Sequence, residues 1–164
     1  AQEVFFKDKS HMELCRKIAL EMFELMYVSD GAALAAPQVG MLIRLIVMDP
    51  AKIKFGPHVL VNPVITYRSN DTEVDFEGCL SIPRYRGRVE RSKNVHVRAV
   101  DLNGEVIEFN ATGLLARIFQ HEIDHLDGVL YPDRLEEGTE LSANEVSGRR
   151  RANNAMDKLE LKPL

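Results

Sequence analysis

Apolar residues recur at helical spacing near the start of the chain, where Cys15, Ile18, Ala19, Met22, Phe23, Leu25 and Met26 form one stripe. Ser10 and Glu13, three residues apart, read as a capping box ahead of that stripe, and Asp30-Gly31 stops it. The pattern predicts an amphipathic helix over about 10–28. Cys15, on the stripe, is expected to be a buried, unreactive thiol. The period then shortens. LIRLIVMD (42–49) and HVLVNPVITY (58–67) are rich in β-branched residues and punctuated by Pro50, Pro57 and Pro63, which predicts strands. NVHVRAVD (94–101) alternates, and Asn103-Gly104 turns it into EVIEF (105–109), the signature of a type I′ hairpin. A helical period returns at about 112–127 and ends at Gly128, a natural left-handed C′ residue. A last helix is expected within 139–160, with Gly148 inside it. Helix, antiparallel strands, then helix is an α+β order. The expected architecture is antiparallel strands packed around a buried central helix. An N-terminal amphipathic helix and a C-terminal helix complete it. At 164 residues the length suits a single catalytic domain over 1–164.

The central helix carries the chemistry. In QHEIDHLDG (120–128), two histidines stand four apart and a glutamate follows the first. At about 100° per residue, Leu114, Ile118, His121 and His125 fall within roughly 60° of one another, with Glu122 beside them. Leu115, Phe119, Ile123 and Leu126 extend the apolar arc, while Arg117, Gln120, Asp124 and Asp127 form a polar side. Residues i and i+4 share a helix face, so both imidazoles can reach one ion. Glu122 is turned too far to ligate easily but can touch a water on that ion as its general base.

Composition narrows the class. No apolar run approaches the ~20 residues of a membrane span, and no basic segment followed by an apolar one marks a signal peptide. The net charge of −4, with both signs interspersed, argues against a nucleic-acid surface. Arg149-Arg150-Arg151 is expected on a solvated helix face. Only two cysteines, Cys15 and Cys79, favour a reducing compartment over a disulfide-stapled scaffold.

An HExxH helix supplies two ligands, and a catalytic site commonly takes a third from the protein. The metzincin pattern fails because Tyr131 stands where its third histidine belongs. A thermolysin-like zinc peptidase would use a glutamate about 20 residues on, and Glu145 is near that distance. The Ser147-Gly148-Arg149 that follows lacks the aspartate which that family pairs with its histidine. Cys79 in EGCLS (77–81) is the other candidate, since a thiolate is a strong zinc or iron ligand. A non-catalytic protein holding a structural metal is a further alternative, but such a site has no need of Glu122.

Three segments, DGAALAAPQVG (30–40), EGCLSIP (77–83) and QHEIDHLDG (120–128), taken in that order, resemble the motifs of the peptide deformylases. The resemblance runs from about residue 12 to 136. It implies Cys79, His121 and His125 as metal ligands, with Fe²⁺ the usual ion and Zn²⁺, Ni²⁺ or Co²⁺ able to replace it. It implies Glu122 as general base and then acid, with Gln38 and the Leu80 backbone N–H as oxyanion donors. The implied reaction is hydrolysis of the formyl group from N-formyl-Met peptides, with ribosome-associated nascent chains as partners. No specific nucleic acid and no membrane enter. The compartment would be bacterial cytoplasm, or a mitochondrion or plastid in a eukaryote. Leu114 and Ile118 would line the methionine pocket, Ala32 would close it, and Arg86 would lie near the substrate backbone. Glu77 and Arg91 resemble a supporting pair. The chain departs from the family at Ala33, where the motif has glycine. The added methyl is expected in a substrate-lining loop, crowding the peptide. The opening strand with its Leu-Arg signature is not evident either.

The two candidates for third ligand are separable by mutation. Cys79→Ala should lose its metal on dialysis while Glu145→Ala retains it, as read by elemental analysis. The reverse result would select the peptidase-like ligand set.

Overall fold

The computed structural model describes residues 1–4, 9–50 and 53–143. Helix α1 spans Lys9–Val28 and helix α2 spans Gly113–Leu126. Eight strands accompany them: β1 Ala33–Ala35, β2 Leu45–Met48, β3 His58–Arg68, β4 Thr72–Cys79, β5 Ile82–Ser92, β6 Asn94–Val100, β7 Val106–Thr112 and β8 Ser142–Ala143. Two antiparallel sheets result, one in the order β1-β2-β3-β6-β7 and one in the order β4-β5-β8. The α+β expectation with antiparallel strands is met.

The larger sheet is covered on both faces at its β1–β2 end. Leu34, Leu45, Val47 and Val61 pack with the α1 stripe of Cys15, Ile18, Ala19, Met22, Leu25 and Met26. Their alternating neighbours Ala33, Ala35, Ile46, Met48 and Leu60 pack with Ala116, Phe119, Ile123 and Leu126 of α2. Side chains alternate across a strand, so a strand buried on both faces has no polar position to offer. That is why all four residues of β2 are apolar and buried. Across β6 and β7 the α2 face continues through Val95, Val97, Ala99 and Ala111. Their outward partners Arg98, Glu108 and Thr112 are exposed.

Four expectations change. Helix α1 begins at Lys9, so Ser10 lies inside it and not before it; the side chain of Ser10 is outside the described set. The β6–β7 hairpin is not type I′, because Gly104 has φ 84° whereas Asn103 stays out of the left-handed region. Asp101 decides the turn. Its Oδ1 accepts from the N–H groups of Asn103 and Glu105 at 2.8 and 2.9 Å, favouring a type I turn closed by a left-handed glycine. The β4–β5 hairpin was not anticipated at all. Finally, the expected C-terminal helix within 139–160 does not begin by Ala143: Ser142 and Ala143 pair with Arg86 and Tyr85 as a strand. Positions 144–164, with Glu145, Gly148 and the Arg149-Arg150-Arg151 run, lie outside the described residues.

After α2 the chain makes a 3-10 turn at Tyr131–Arg134 and lies across β5. It does so over Gly87, where a Cβ would stand 2.2 Å from Leu135 Cδ2 and 3.4 Å from the Tyr131 ring. Gly87→Ala should therefore cost about 1–3 kcal/mol through overpacking, lowering the urea midpoint at unchanged slope. An unaltered midpoint would mean that Leu135 has room to turn aside.

Candidate metal centre

Helix α2 places His121 and His125 one turn apart, with ring centroids 4.8 Å from each other and planes at 88°. Cys79 comes from the other sheet. It ends β4, where the register shifts between Gly78 and Cys79 and the chain turns through Leu80 and Ser81 into β5. Cys79 Sγ lies 3.2 Å from His125 Nε2. The ligand atoms of Cys79, His121 and His125 all lie within 4.8 Å of one another, the one such trio among the described residues. Ligands at ordinary zinc distances on a tetrahedral ion stand about 3.6 Å apart. One thiolate and two imidazoles at this spacing thus fit a single divalent ion with small side-chain adjustments.

Thiol and imidazoles are electrostatically coupled, and an ion held by them would displace the His121 proton. Burial by itself would raise the Cys79 thiol, but hydrogen bonds with His121 and His125 outweigh it and bring the pKa to about 5. Burial would lower His121, but its hydrogen bonds with Cys79 and Glu77 raise it to about 10. Glu122 is buried beside them, and burial pushes its carboxyl above the usual range. Among the described residues its Oε2 has no hydrogen-bond partner. A buried carboxylate oxygen left without a donor is costly unless the site has a use for it.

Gln38 sits in a 3-10 turn, Ala36–Val39, that follows β1 directly. The Ala35 N–H donates to its Oε1 at 2.7 Å, which turns the amide nitrogen towards the trio. Nε2 donates to Cys79 Sγ at 3.4 Å and Ser81 Oγ at 3.1 Å. Leu80 is partly exposed beside Gly31, where a Cβ would meet Leu80 Cδ1 at 3.0 Å. The first and second sequence motifs therefore touch each other as well as the third.

The remaining candidates are scattered more widely. Leu114 is exposed and Ile118 half-buried, on the histidine side of α2; Ala32 is exposed just before β1. Arg86 is exposed on β5, its guanidinium 5.7 Å from the centroid of the Phe76 ring. Ala33 is not in a loop. It pairs with Met48 in β1, keeps a non-left-handed φ, and belongs to the core between sheet and α2. A strand position with one face in the core gives glycine no conformational advantage there.

The polar side of α2 is buried along with the apolar arc, except at Asp127. Arg117, Gln120 and Asp124 are each less than 9% exposed, because the β4–β5 hairpin covers them. Glu77 of β4 accepts from Arg91 Nε at 3.0 Å, Arg91 Nη2 at 3.1 Å, Arg117 Nη1 at 2.9 Å and His121 Nδ1 at 2.8 Å. Burial by itself would raise its carboxyl, but His121 and Arg91 overcome that and hold its pKa at about 2. Asp124 links Arg91 to Arg134. Arg117 and Asp124 stand four before and three after His121, so helical spacing already grouped them with it.

Residues 3–140 match the family model described as Polypeptide deformylase. The chain belongs to that family. Peptide deformylase 2 of Gloeobacter violaceus is 52% identical over 123 residues, 74% of this chain and 66% of that protein. The match thus spans just under two thirds of that relative's length. The peptide deformylase of Afipia carboxidovorans is 52% identical over 122 residues, 73% of this chain and 71% of that protein. The crystal structure of the Thermotoga maritima peptide deformylase superposes with a TM-score of 0.76 at 43% identity, covering 83% of this chain and 88% of that one. The Synechococcus elongatus peptide deformylase in complex with actinonin gives 0.75 at 43% identity, covering 96% and 77%.

Removing one partner from a buried ion pair costs about 3–5 kcal/mol, whereas an exposed pair is worth less than about 1 kcal/mol. Asp124→Ala should fall in the first class and Asp71→Ala, which frees only the exposed Lys93, in the second. Urea unfolding of the two variants compares them, and equal losses would contradict the network's importance.

Proposed function

We propose that this chain, as one catalytic domain over 1–164, is a metal-dependent hydrolase that removes the formyl group from N-formylmethionyl peptides and releases formate. The observation that carries this is the trio Cys79, His121 and His125 beside the buried, unpartnered Glu122 oxygen, in a chain of the deformylase family. The trio is complete without Glu145, which favours deformylation over the peptidase alternative. HExxH on the helix buried between the sheets is the core of this reading.

Cys79, His121 and His125 hold the ion, with Fe²⁺ as the native metal and Zn²⁺, Ni²⁺ or Co²⁺ as substitutes. When bound, a divalent ion supplies Lewis acidity, which acidifies water and polarises a carbonyl. Glu122 accepts the proton of the attacking water as its oxygen bonds to the formyl carbon. Buried beside the trio and not itself a member of it, Glu122 is placed to act as base and then as acid. It returns that proton to the amine nitrogen as the carbon–nitrogen bond breaks. Charge developing on the carbonyl oxygen meets Gln38 Nε2 and the Leu80 N–H, and the amide is held for this by Ala35. Leu114, Ile118 and Ala32 accept the methionine side chain, with Ala33 behind them and Arg86 along the peptide backbone. Nascent chains at the ribosome are the source of substrate, in bacterial cytoplasm or an organelle. Among the described residues no helix is long and apolar enough to cross a membrane.

The test is formate release from a formyl-Met tripeptide by the anaerobically iron-loaded chain, with the new amine measured in parallel. Equal amounts of both are expected; internal peptide cleavage without formate would overturn the proposal. Glu122→Gln should keep its metal and lose about 10²–10⁴ in kcat. A variant with a tenth of the wild-type rate would remove Glu122 from proton transfer.

A further inference from the structure

We infer that Arg117 is a positioning residue for His121, acting through the carboxylate of Glu77. The inference rests on reading Cys79, His121 and His125 as one metal centre. Arg117 stands one turn before His121 on the same face of α2, so both side chains reach the same group on β4. The two oxygens of Glu77 divide their partners. Oε1 accepts from Arg91 Nε at 3.0 Å and Arg117 Nη1 at 2.9 Å; Oε2 accepts from Arg91 Nη2 at 3.1 Å and His121 Nδ1 at 2.8 Å.

Arg91 alone grips the carboxylate as a two-pronged fork, about which the carboxylate can still tilt. Arg117 approaches from α2 and removes that freedom. The imidazole of His121 has two torsions, and the bond from Nδ1 to Glu77 sets both, so a tilt at Glu77 becomes a turn of the ring that faces Cys79. Arg117 is itself held rigidly. Nη1 also donates to Val89 O at 2.9 Å and Nη2 donates to Glu73 O at 2.7 Å. Its rigid planar fork thus reaches β4, β5 and the carboxylate together, which a flexible ammonium cannot do. A brace between helix and sheet would need only the two carbonyls; the bond to Glu77 is the one that bears on the metal site.

Gln120 supplies the comparison. It also ties α2 to β5, donating to Ser92 O at 2.9 Å and accepting from Ser92 N–H at 3.2 Å, but it does not bond Glu77. The experiment loads the full chain with Co²⁺. It measures release of the ion into excess chelator, the near-ultraviolet and visible absorption of the cobalt site, and Tm. Arg117→Met should release Co²⁺ about tenfold faster or more and shift the visible bands, with KM unchanged and kcat reduced. Arg117→Lys should fall between Arg117→Met and wild type. Gln120→Met should lower Tm while leaving release within about twofold of wild type and the spectrum unaltered. Wild-type release and spectrum in Arg117→Met would overturn the inference, as would equal acceleration in Gln120→Met. If Arg117→Met does not fold, Arg117→Lys decides alone, and wild-type release in it overturns the inference. A wild-type chain without sulfur-to-cobalt absorption would overturn the metal-centre reading and this inference with it. Failure at Arg117 alone leaves that reading standing.

Discussion

Glu77, a single buried carboxylate, accepts hydrogen bonds from Arg91, Arg117 and His121, and so joins β4, β5 and α2 at one point. Its charge is tolerable in the interior because the two guanidinium groups beside it carry the opposite sign. Those guanidiniums find their remaining acceptors in Asp124 and in the carbonyls of Val89 and Glu73. The smaller sheet is mostly exposed and buries few apolar side chains, so this polar network is a main attachment between it and the helix. Cys79 lies two residues beyond Glu77 on the same strand. The position of the thiol relative to the histidines follows from how that carboxylate is held.

The other half of the site depends on apolar packing. β1 and β2 are covered by α1 on one face and α2 on the other. Ala33 and Ala35 are small enough for α2 to lie close to the sheet, and the 3-10 turn that carries Gln38 follows at once. The amide of Gln38 reaches Cys79 because β1 and α2 are in contact. A side chain larger than alanine at either strand position would separate the Gln38 turn from the thiol.

Much of this was legible in the chain. The stripe from Cys15 to Met26 gave α1, because one helix face meets the sheet and the other meets water. The continuous apolar run LIVM was legible as a strand, since burial on both faces removes alternation. His121, Glu122 and His125 stood out because no ordinary core uses that combination. The β4–β5 hairpin did not stand out. Its inward positions include Glu77, Gly87 and Arg91, where burial is by charge pairing and close backbone contact, so hydropathy carries no signal of it. Helical spacing set Arg117 and Asp124 near His121, but their partners Glu77 and Arg91 lie on the hairpin that hydropathy does not show. At Ala33 the neighbouring motif suggested a loop, whereas pairing with Met48 makes it a strand.

The members of the trio are separated by 42 and 4 positions, with the cysteine first. A chain leaves the ribosome from its N-terminus. Every strand of the larger sheet emerges before α2, and so does Cys79. Until α2 follows, the inner face of Val95, Val97, Ala99 and Ala111 lacks Ala116, Phe119, Ile123 and Leu126, and the thiol lacks the two histidines of the trio. The second of the two core clusters and the Cys79, His121 and His125 trio are therefore completed by the same fourteen residues, whereas the α1 cluster needs none of them. The trio of Cys79, His121 and His125 is therefore assembled only once α2 has been made.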